Sequence, residues 1–316
     1  MPERMRIILC GTPYFADPTF RHLLSEPDFE IIGAVTQPDR PKGRGLEVSY
    51  SFVKQFAREK NIPLHQPEKI GAPEVQEMLQ RLAPDAIIII AYGQIIPARL
   101  LPIPRLGWIN LHASLLPKYR GAAPINWAVA NGETKTGLTT MRIDAGMDTG
   151  DILLQREMEI LPAVTAEELT VCLAMAGPPL MIETLRGLAR GTITPRPQNH
   201  SLATYAPMLK KEDGRIDWSL SAQEIYNRMR AFIPWPGTFS IFRGQTCRFR
   251  AELAPNRTTA AAPGAIFLEN GEMHVACGHA TVLRLLAVKL EGRKQVSAAE
   301  FVNGARLKPD ECFGGS

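Results

Sequence analysis

Short apolar runs without polar alternation recur along the first part of the chain. They cover residues 5–10, 31–36 and 86–91. Such runs are typical of strands that are buried on both faces of a parallel sheet. Amphipathic spacing between them predicts helices at 51–60 and 73–82. This alternation of strands and helices predicts an α/β fold with a Rossmann-like, doubly wound parallel sheet.

The first of these strands is followed by residues that are suited to start a helix. Gly11 ends the apolar run, and Thr12 and Pro13 fit the cap and the first turn of a helix that reaches about Leu24. The Gly-x-Gly-x-x-Gly pattern of dinucleotide-binding sheets is absent after this strand. A dinucleotide is therefore not the expected ligand of this sheet.

The pattern changes after a long helix predicted at 167–189. Residues 190–209 contain three prolines and few large aliphatic side chains, as in a linker. One further helix is predicted at 222–231, and the remaining apolar segments are short and have hairpin spacing, which indicates an all-β domain. Those strands are predicted at 238–242, 247–253, 264–268, 273–277 and 281–290. We expect a first domain over 1–189, a linker over 190–209 and a second domain over 210–316.

Composition agrees with a folded protein and excludes several classes. The chain has 316 residues, 45% of them hydrophobic and 22% charged, and is more typical of two domains than of one. Its five cysteines form no close pairs, so neither a disulfide framework nor a metal site is expected. No signal peptide is recognisable, and the longest aliphatic block, 86–91, is too short to span a membrane. We expect a cytoplasmic protein without a membrane partner.

Positive charge is concentrated in the last third of the chain. The net charge of +4 arises after residue 200, where 15 Lys and Arg stand against 11 Asp and Glu. A basic face is commonly only solubilising, but it also suits the binding of phosphates. The densest part contains one acid, Glu252, beside six arginines: Arg228, Arg230, Arg243, Arg248, Arg250 and Arg257.

Candidate chemistry lies at the end of a further apolar run, 106–109. Asn110 and His112 follow this run two positions apart, so in a strand both side chains point from the same face. An amide donor beside a titratable ring suits a reaction in which an oxyanion develops and a proton moves. Asp148 lies in a Gly-punctuated loop, where it either holds the turn or fixes the imidazole of His112.

The combination of Asn110, His112 and Asp148 resembles the catalytic domain of the 10-formyltetrahydrofolate-dependent formyltransferases. The resemblance extends to Cys10-Gly-Thr-Pro-Tyr-Phe, to Ala91-Tyr-Gly and to segments 36–45, 114–124 and 144–151. Segments 204–207, 211–219 and 234–237 further resemble the members of this family that act on methionyl-tRNA.

This resemblance implies transfer of the formyl group of 10-formyltetrahydrofolate to the amino group of methionine on initiator methionyl-tRNA. The product, N-formylmethionyl-tRNA, serves translation initiation. Asn110 and protonated His112 would donate to the oxyanion, and Asp148 would hold His112 and assist proton removal. The resemblance also implies that 1–189 is the catalytic domain and that 210–316 is an OB-like β-barrel that binds tRNA.

The same resemblance assigns binding residues for both substrates. Arg44 would be central in a loop that checks the acceptor stem of the tRNA, although Leu46 and Glu47 stand where further lysines are common in the family. The residues expected to contact tRNA are Arg40, Lys42, Arg44, Arg228, Arg230, Arg248 and Arg250. Those expected to line the folate site are Tyr92, Gly93, Ser114, Leu115, Leu116, Pro117 and Asp144.

Two other functions stay open on the sequence. A small-molecule formyltransferase or a folate hydrolase would share the three catalytic residues, but it would not be expected to carry both the basic loop and the second domain. A non-catalytic RNA-binding protein would have no use for the intact catalytic set. We expect a monomer in a bacterial cytoplasm.

Overall fold

The computed structural model describes residues 4–42, 47–308 and 311–314. Within them the chain divides into two compact units, neither of which is continuous in sequence. The first unit comprises Met1–Ile125, Lys135–Ile160 and Glu168–Pro207, and the second comprises Asn126–Thr134, Leu161–Glu167 and Met208–Ser316.

A seven-stranded sheet forms the centre of the first unit. Its strand order is β5-β2-β1-β6-β7-β8-β9. The first five strands in this order run parallel, whereas β8 and β9 are antiparallel to their neighbours, so the sheet is mixed and not purely parallel as predicted. The strands are β1 (Met5–Gly11), β2 (Phe29–Val35), β5 (Leu64–His65), β6 (Ala86–Ile90), β7 (Trp108–His112), β8 (Lys135–Arg142) and β9 (Ile152–Glu159).

Two short strands, β3 (Arg40–Lys42) and β4 (Glu47–Ser49), pair with each other apart from this sheet. Five α-helices are described up to residue 189, of which the one at Pro124–Ala130 lies mostly in the second unit, and those at Phe52–Glu59 and Pro73–Leu82 closely match the predicted ones. They are α1 (Asp17–Ser25), α2 (Phe52–Glu59), α3 (Pro73–Leu82), α4 (Pro124–Ala130) and α5 (Ala166–Ala189).

The central strand of the sheet, β6, is the aliphatic strand that the sequence predicts at 86–91. All five residues of β6 are buried, as expected for an aliphatic strand with helices on both faces. The start of α1 differs from the prediction: a short 3-10 turn at Tyr14–Ala16 comes first, and α1 begins at Asp17. Thr12 does not cap this turn, because its hydroxyl donates to the carbonyl of Tyr92 instead.

Residues 190–207, part of the predicted linker, belong to the first unit. Arg196 exchanges two backbone hydrogen bonds with Ile152. Further along, Thr204 and Ala206 pair with Arg120 through the backbone. This segment is therefore bound to the first unit by regular backbone pairing, which a proline-rich sequence does not reveal.

An antiparallel sheet forms the core of the second unit, with the order β10-β11-β14-β13-β12 and β15 paired to β14. Its inner face packs on α6 and α7 through a cluster that includes Trp218, Phe249 and Phe301. The elements are α6 (Ala222–Ala231), β10 (Ser240–Phe242), β11 (Gln245–Leu253), β12 (Ile266–Glu269), β13 (Glu272–Ala276), β14 (Val282–Leu290), β15 (Val296–Ser297) and α7 (Ala298–Ala305).

One described helix, α5, has the length and the apolar composition of a membrane span, and half of its most apolar stretch is buried. A core helix passes the same test, so this composition alone is weak evidence for a span. The sequence predicts this helix at 167–189, and two prolines lie inside it.

Candidate active site

Strand β7 brings the two candidate groups together. Asn110 and His112 lie on the same face of β7, which is held between β6 and β8. His112 is buried, and Asn110 is partly buried. Within the described residues, the Asn110 side-chain amide makes no hydrogen bond. Asn110 therefore presents an amide donor that no group of the described residues uses.

The ring of His112 is fixed by two neighbours. Its Nε2 lies 2.9 Å from the carbonyl oxygen of Tyr119, and its Nδ1 lies 3.7 Å from Oδ2 of Asp148. Because a carbonyl oxygen can only accept, Nε2 carries a hydrogen. Nδ1 is therefore the nitrogen that remains available for a hydrogen bond to Asp148 or to a substrate.

The loop between β8 and β9 places the Asp148 carboxylate. Oδ2 of Asp148 accepts a hydrogen bond of 2.8 Å from the backbone N–H of Gly121. Asp148 itself has a positive φ of 52°, which aspartate tolerates better than most residues. A Cβ at Gly150 would overlap the carbonyl oxygen of Arg142, so the close turn of this loop requires glycine there.

The segment predicted to receive folate follows directly after β7. Ser114 is buried, and its hydroxyl donates to the carbonyl of Lys118 at 2.6 Å. Leu116 is buried in a small cluster with core residues, whereas Leu115 and Pro117 are only partly buried. Side chains of Thr139 and Gln155 hold the backbone of this segment through hydrogen bonds.

Tyr92 and Asp144 are occupied by internal contacts. The ring of Tyr92 lies in the core, its hydroxyl has no hydrogen-bond partner among the described residues, and burial raises the pKa of that hydroxyl. The backbone carbonyl of Tyr92 accepts hydrogen bonds from the side chains of Gln37 and Thr12. The Asp144 carboxylate accepts from Gly146 and Thr149 and thereby stabilises its own loop.

Gly93 and Arg40 line a cleft of about 460 Å³ with Gln37, Glu68, Lys69 and Gln94. Arg40 is exposed at the start of β3, and Lys42 ends that strand. Arg44, the predicted centre of the tRNA loop, lies outside the described residues, as does Leu46.

The basic stretch of the second unit is less uniform than its sequence. Arg230 is buried, its guanidinium binds Asn227 and the carbonyl of Val164, and burial lowers its pKa. It therefore does not belong to an exposed basic face, which corrects its prediction as a tRNA contact. Arg243 and Arg257 are paired with Glu311 and Glu269, respectively.

Three of the predicted arginines, Arg228, Arg248 and Arg250, make no ion pair with a described residue. Arg248 and Arg250 are exposed on β11. Lys289 on β14 lies directly opposite Arg248 and is also exposed. The sequence does not indicate Lys289 as a member of this face, because only strand pairing brings it there.

Gln198 and Arg120 are further residues of the site that the sequence did not assign. Both are buried beside the loop of Asp148, and Gln198 lies in the predicted linker. Among the residues that the structure describes, no three His, Cys, Asp or Glu side chains are grouped as a metal site would need.

Comparison with known proteins places this site in a family. A family model described as Formyl transferase matches residues 4–185, and one described as Formyl transferase, C-terminal domain, matches residues 208–306. The methionyl-tRNA formyltransferase of Acidobacterium capsulatum is 51% identical over 311 residues, which cover 98% of this chain and 100% of that protein. The methionyl-tRNA formyltransferase of Koribacter versatilis is also 51% identical, with coverages of 98% and 99%.

Solved structures with a similar fold include WlaRD, a sugar 3N-formyl transferase in the presence of dTDP and 5-N-formyl-THF. It has a TM-score of 0.67 and 19% identity, covering 92% of this chain and 100% of that one. HypX from Aquifex aeolicus in complex with tetrahydrofolic acid has a TM-score of 0.58 and 14% identity, with coverages of 98% and 49%. These structures support the fold, and the sequence relatives decide the family: the chain belongs to the methionyl-tRNA formyltransferases.

Proposed function

We propose that the protein transfers the formyl group of 10-formyltetrahydrofolate to the α-amino group of methionine on initiator methionyl-tRNA. The amide of Asn110, which binds no described residue and lies next to the His112–Asp148 pair, is the structural observation that carries this proposal. The names of the full-length relatives supply the substrate.

Asn110 and His112 would act on the formyl oxygen. The amine nitrogen first forms a bond to the formyl carbon, and the formyl oxygen then carries negative charge. The bond from that carbon to the folate nitrogen breaks next, and the folate nitrogen leaves with a proton that replaces the one lost by the amine. The amide of Asn110 and Nδ1–H of protonated His112 can donate to that oxygen, because Nε2 is already bound to Tyr119. Loss of one such donor typically costs about 10²–10³ in rate.

Asp148 would hold His112 and take part in proton removal. An α-amino group has a pKa of about 7.7, so a fraction of these groups is already an uncharged nucleophile at neutral pH. Attack leaves a positive nitrogen that must lose a proton. The Asp148 carboxylate, 3.7 Å from His112, can accept that proton directly or through a water molecule and also stabilise the imidazolium.

Folate would bind beside this set, along the segment from Ser114 to Pro117 and the backbone at Gly93. The hydrogen bonds that Thr139 and Gln155 make to the first segment keep its shape without a ligand. We further propose that Arg40, Lys42 and Arg44 contact the acceptor stem. Arg228, Arg248, Arg250 and Lys289 would bind tRNA phosphates from the second unit.

The proposal is tested by transfer of labelled formyl from 10-formyltetrahydrofolate to methionine-charged initiator tRNA. A charged elongator tRNA, free methionine and an amino-sugar nucleotide serve as alternative acceptors. We expect formylation of the initiator alone. Transfer to the sugar nucleotide but to no tRNA would identify the protein as a small-molecule formyltransferase. Binding of tRNA without transfer to any acceptor would identify it as a non-catalytic RNA-binding protein.

A further inference from the structure

The side chain of Gln198 lies between two loops of the candidate active site. It is 5% exposed, and its Nε2 donates to the carbonyl oxygens of Asp148 at 2.9 Å and Gly150 at 2.7 Å. Its Oε1 accepts from Nε of Arg120 at 3.1 Å and from Nη2 at 2.6 Å. Both hydrogens and both lone pairs of the amide are thus used.

These contacts join the segments that hold the catalytic side chains. Arg120 stands between Tyr119, whose carbonyl binds His112, and Gly121, whose N–H binds the Asp148 carboxylate. Gln198 therefore binds the Asp148 loop through one end of its amide and the 119–121 segment through the other.

Gln198 is itself held by backbone pairing on both sides. Arg196 exchanges hydrogen bonds of 2.8 and 2.9 Å with Ile152 at the start of β9. On the other side, Arg120 N donates to Thr204 O, and Ala206 N donates to Arg120 O. The glutamine is thus fixed in place before any substrate binds.

Burial of the Arg120 guanidinium costs free energy, because a charged group is taken out of water. Arg120 is 2% exposed, and within the described residues it makes no ion pair. Its guanidinium instead binds the Gln198 oxygen and approaches Nδ1 of His200 at 3.2 Å. A buried charge needs such partners, because each lost hydrogen bond leaves an uncompensated group.

We propose that Gln198 is a positioning residue for formyl transfer, which sets the Asp148 carboxylate at its distance from His112. This role rests on the proposed function. Gln198 does not touch the reacting atoms; it acts through the backbone of the Asp148 loop and through Arg120. Placement errors of this kind typically reduce turnover by up to about 10²-fold without altering binding groups.

Two substitutions separate the contact of Gln198 with Arg120 from its contact with the Asp148 loop. Gln198→Glu keeps an acceptor for Arg120 but presents no donor to the Asp148 and Gly150 carbonyls at neutral pH. Gln198→Met keeps the approximate length and removes both contacts. Asn199→Ala is the matched control, because this neighbouring exposed amide binds only Ser201.

Turnover, KM and melting temperature are measured for all three variants. We expect kcat of Gln198→Glu and Gln198→Met to fall about 10–100-fold with little change in either KM, and Asn199→Ala to behave as wild type. The melting temperature should fall in Gln198→Met, where Arg120 loses its partner and both carbonyls lose their donor, and should fall less in Gln198→Glu, which keeps an acceptor for Arg120.

A second readout follows the carboxylate directly and needs no substrate. The amide proton of Gly121 donates to Asp148, so its resonance in ¹⁵N-glycine-labelled protein reports that hydrogen bond. We expect this resonance to move in both Gln198 variants and to stay in Asn199→Ala. Normal kcat in Gln198→Glu, an unmoved Gly121 resonance, or an equal loss in Asn199→Ala would each overturn the proposal. If wild-type protein transfers no formyl group, the proposed function fails, and the Gly121 resonance still decides whether Gln198 places the carboxylate.

Discussion

At the scale of single residues, the site is defined by which polar groups have partners and which do not. The Asn110 amide has no hydrogen-bond partner in the described part of the chain, whereas the side chains of Ser114 and Asp144 form hydrogen bonds within their own loops. His112 uses one nitrogen for Tyr119 and keeps the other next to Asp148. A substrate can form a hydrogen bond with such a group without first breaking a hydrogen bond within the protein.

Asn110→Asp and His112→Ala should therefore lower kcat by about 10²–10³, far more than they raise either KM. Asn110→Asp keeps the size of the side chain but removes the donor and adds a charge that repels the oxyanion. Steady-state kinetics of both substrates measure this effect. Asn256→Ala, an exposed loop position in the second unit, is the control. Near-normal turnover in both variants would contradict the assignment of the oxyanion donors.

Burial also divides the five cysteines. Cys172 and Cys312 are exposed, and Cys10, Cys247 and Cys277 are buried. Burial raises the pKa of Cys247 and of Cys277 to about 12, and it raises the pKa of Cys10 as well. A thiol reacts as its thiolate, so these three should stay inert at pH 8.

We expect two of the five thiols to react quickly with Ellman's reagent in the native protein and all five to react in denaturant. Replacement of Cys172 and Cys312 by serine should abolish the fast phase. A fast phase that survives the double substitution would mean that a buried thiol opens to solvent on the time scale of the assay.

At the scale of elements, the decisive feature is the loop from β8 to β9. It carries Asp148, and its path depends on the absence of a side chain at Gly150, next to the carbonyl of Arg142. Backbone pairing of Arg142 with Asp151 closes the loop. The antiparallel pair β8–β9 thus serves to return the chain so that this loop meets the end of β7.

Gly150→Ala should open the loop, displace Asp148, lower stability by about 1–3 kcal/mol and reduce kcat. Gly304→Ala is a suitable control, because a Cβ there meets no atom within 4 Å and the position is helical. That change should instead stabilise the protein by about 0.5–1 kcal/mol. Chemical denaturation and kinetics of both variants test the comparison. An unaffected kcat in Gly150→Ala would show that the loop tolerates another path.

At the scale of the whole molecule, the chain joins a mixed α/β unit to an antiparallel half-barrel unit, and each has its own core. The basic character of the second unit is real but selective. Ion pairs neutralise Arg243 and Arg257, and Arg230 is internal. Arg248, Arg250 and Lys289 are exposed on β11 and β14 and make no ion pair with a described residue. The monomeric state and the cytoplasmic location stay predictions.

The salt dependence of tRNA binding distinguishes the exposed basic residues of the second unit from the buried Arg230. Arg248→Gln, Arg250→Gln and Lys289→Gln should each reduce the slope of log K against log salt by about 1, because each removes one phosphate contact. Arg230→Met should lower the melting temperature and leave the slope unchanged, since its guanidinium is bound inside the protein. Filter binding over a range of salt concentrations measures the slopes. An unchanged slope in all three exposed variants would exclude this face as a phosphate contact.

Much of the fold follows from local patterns, and the predicted fold class is confirmed by the family models and the solved structures. Helix α3 and helix α6 match their predicted bounds, because amphipathic period and end signals both lie within the segment. The resemblance to formyltransferases that act on methionyl-tRNA is confirmed by relatives over nearly the whole chain. Antiparallel β8 and β9 were missing from the prediction, since strand direction depends on the partner and not on the strand's own residues.

The sequence by itself determined the fold class, the family and the spacing of Asn110 and His112, because these are carried by short-range periodicity and by motifs. Only the tertiary structure decided that the Asn110 amide has no partner among residues 4–42, 47–308 and 311–314, that Arg230 is buried and that Gln198 binds the Asp148 loop. Burial and hydrogen-bond partners are properties of segments that lie far apart in the chain. A proline-rich stretch such as 190–207 therefore looks like a linker until its pairing with Ile152 and Arg120 is seen.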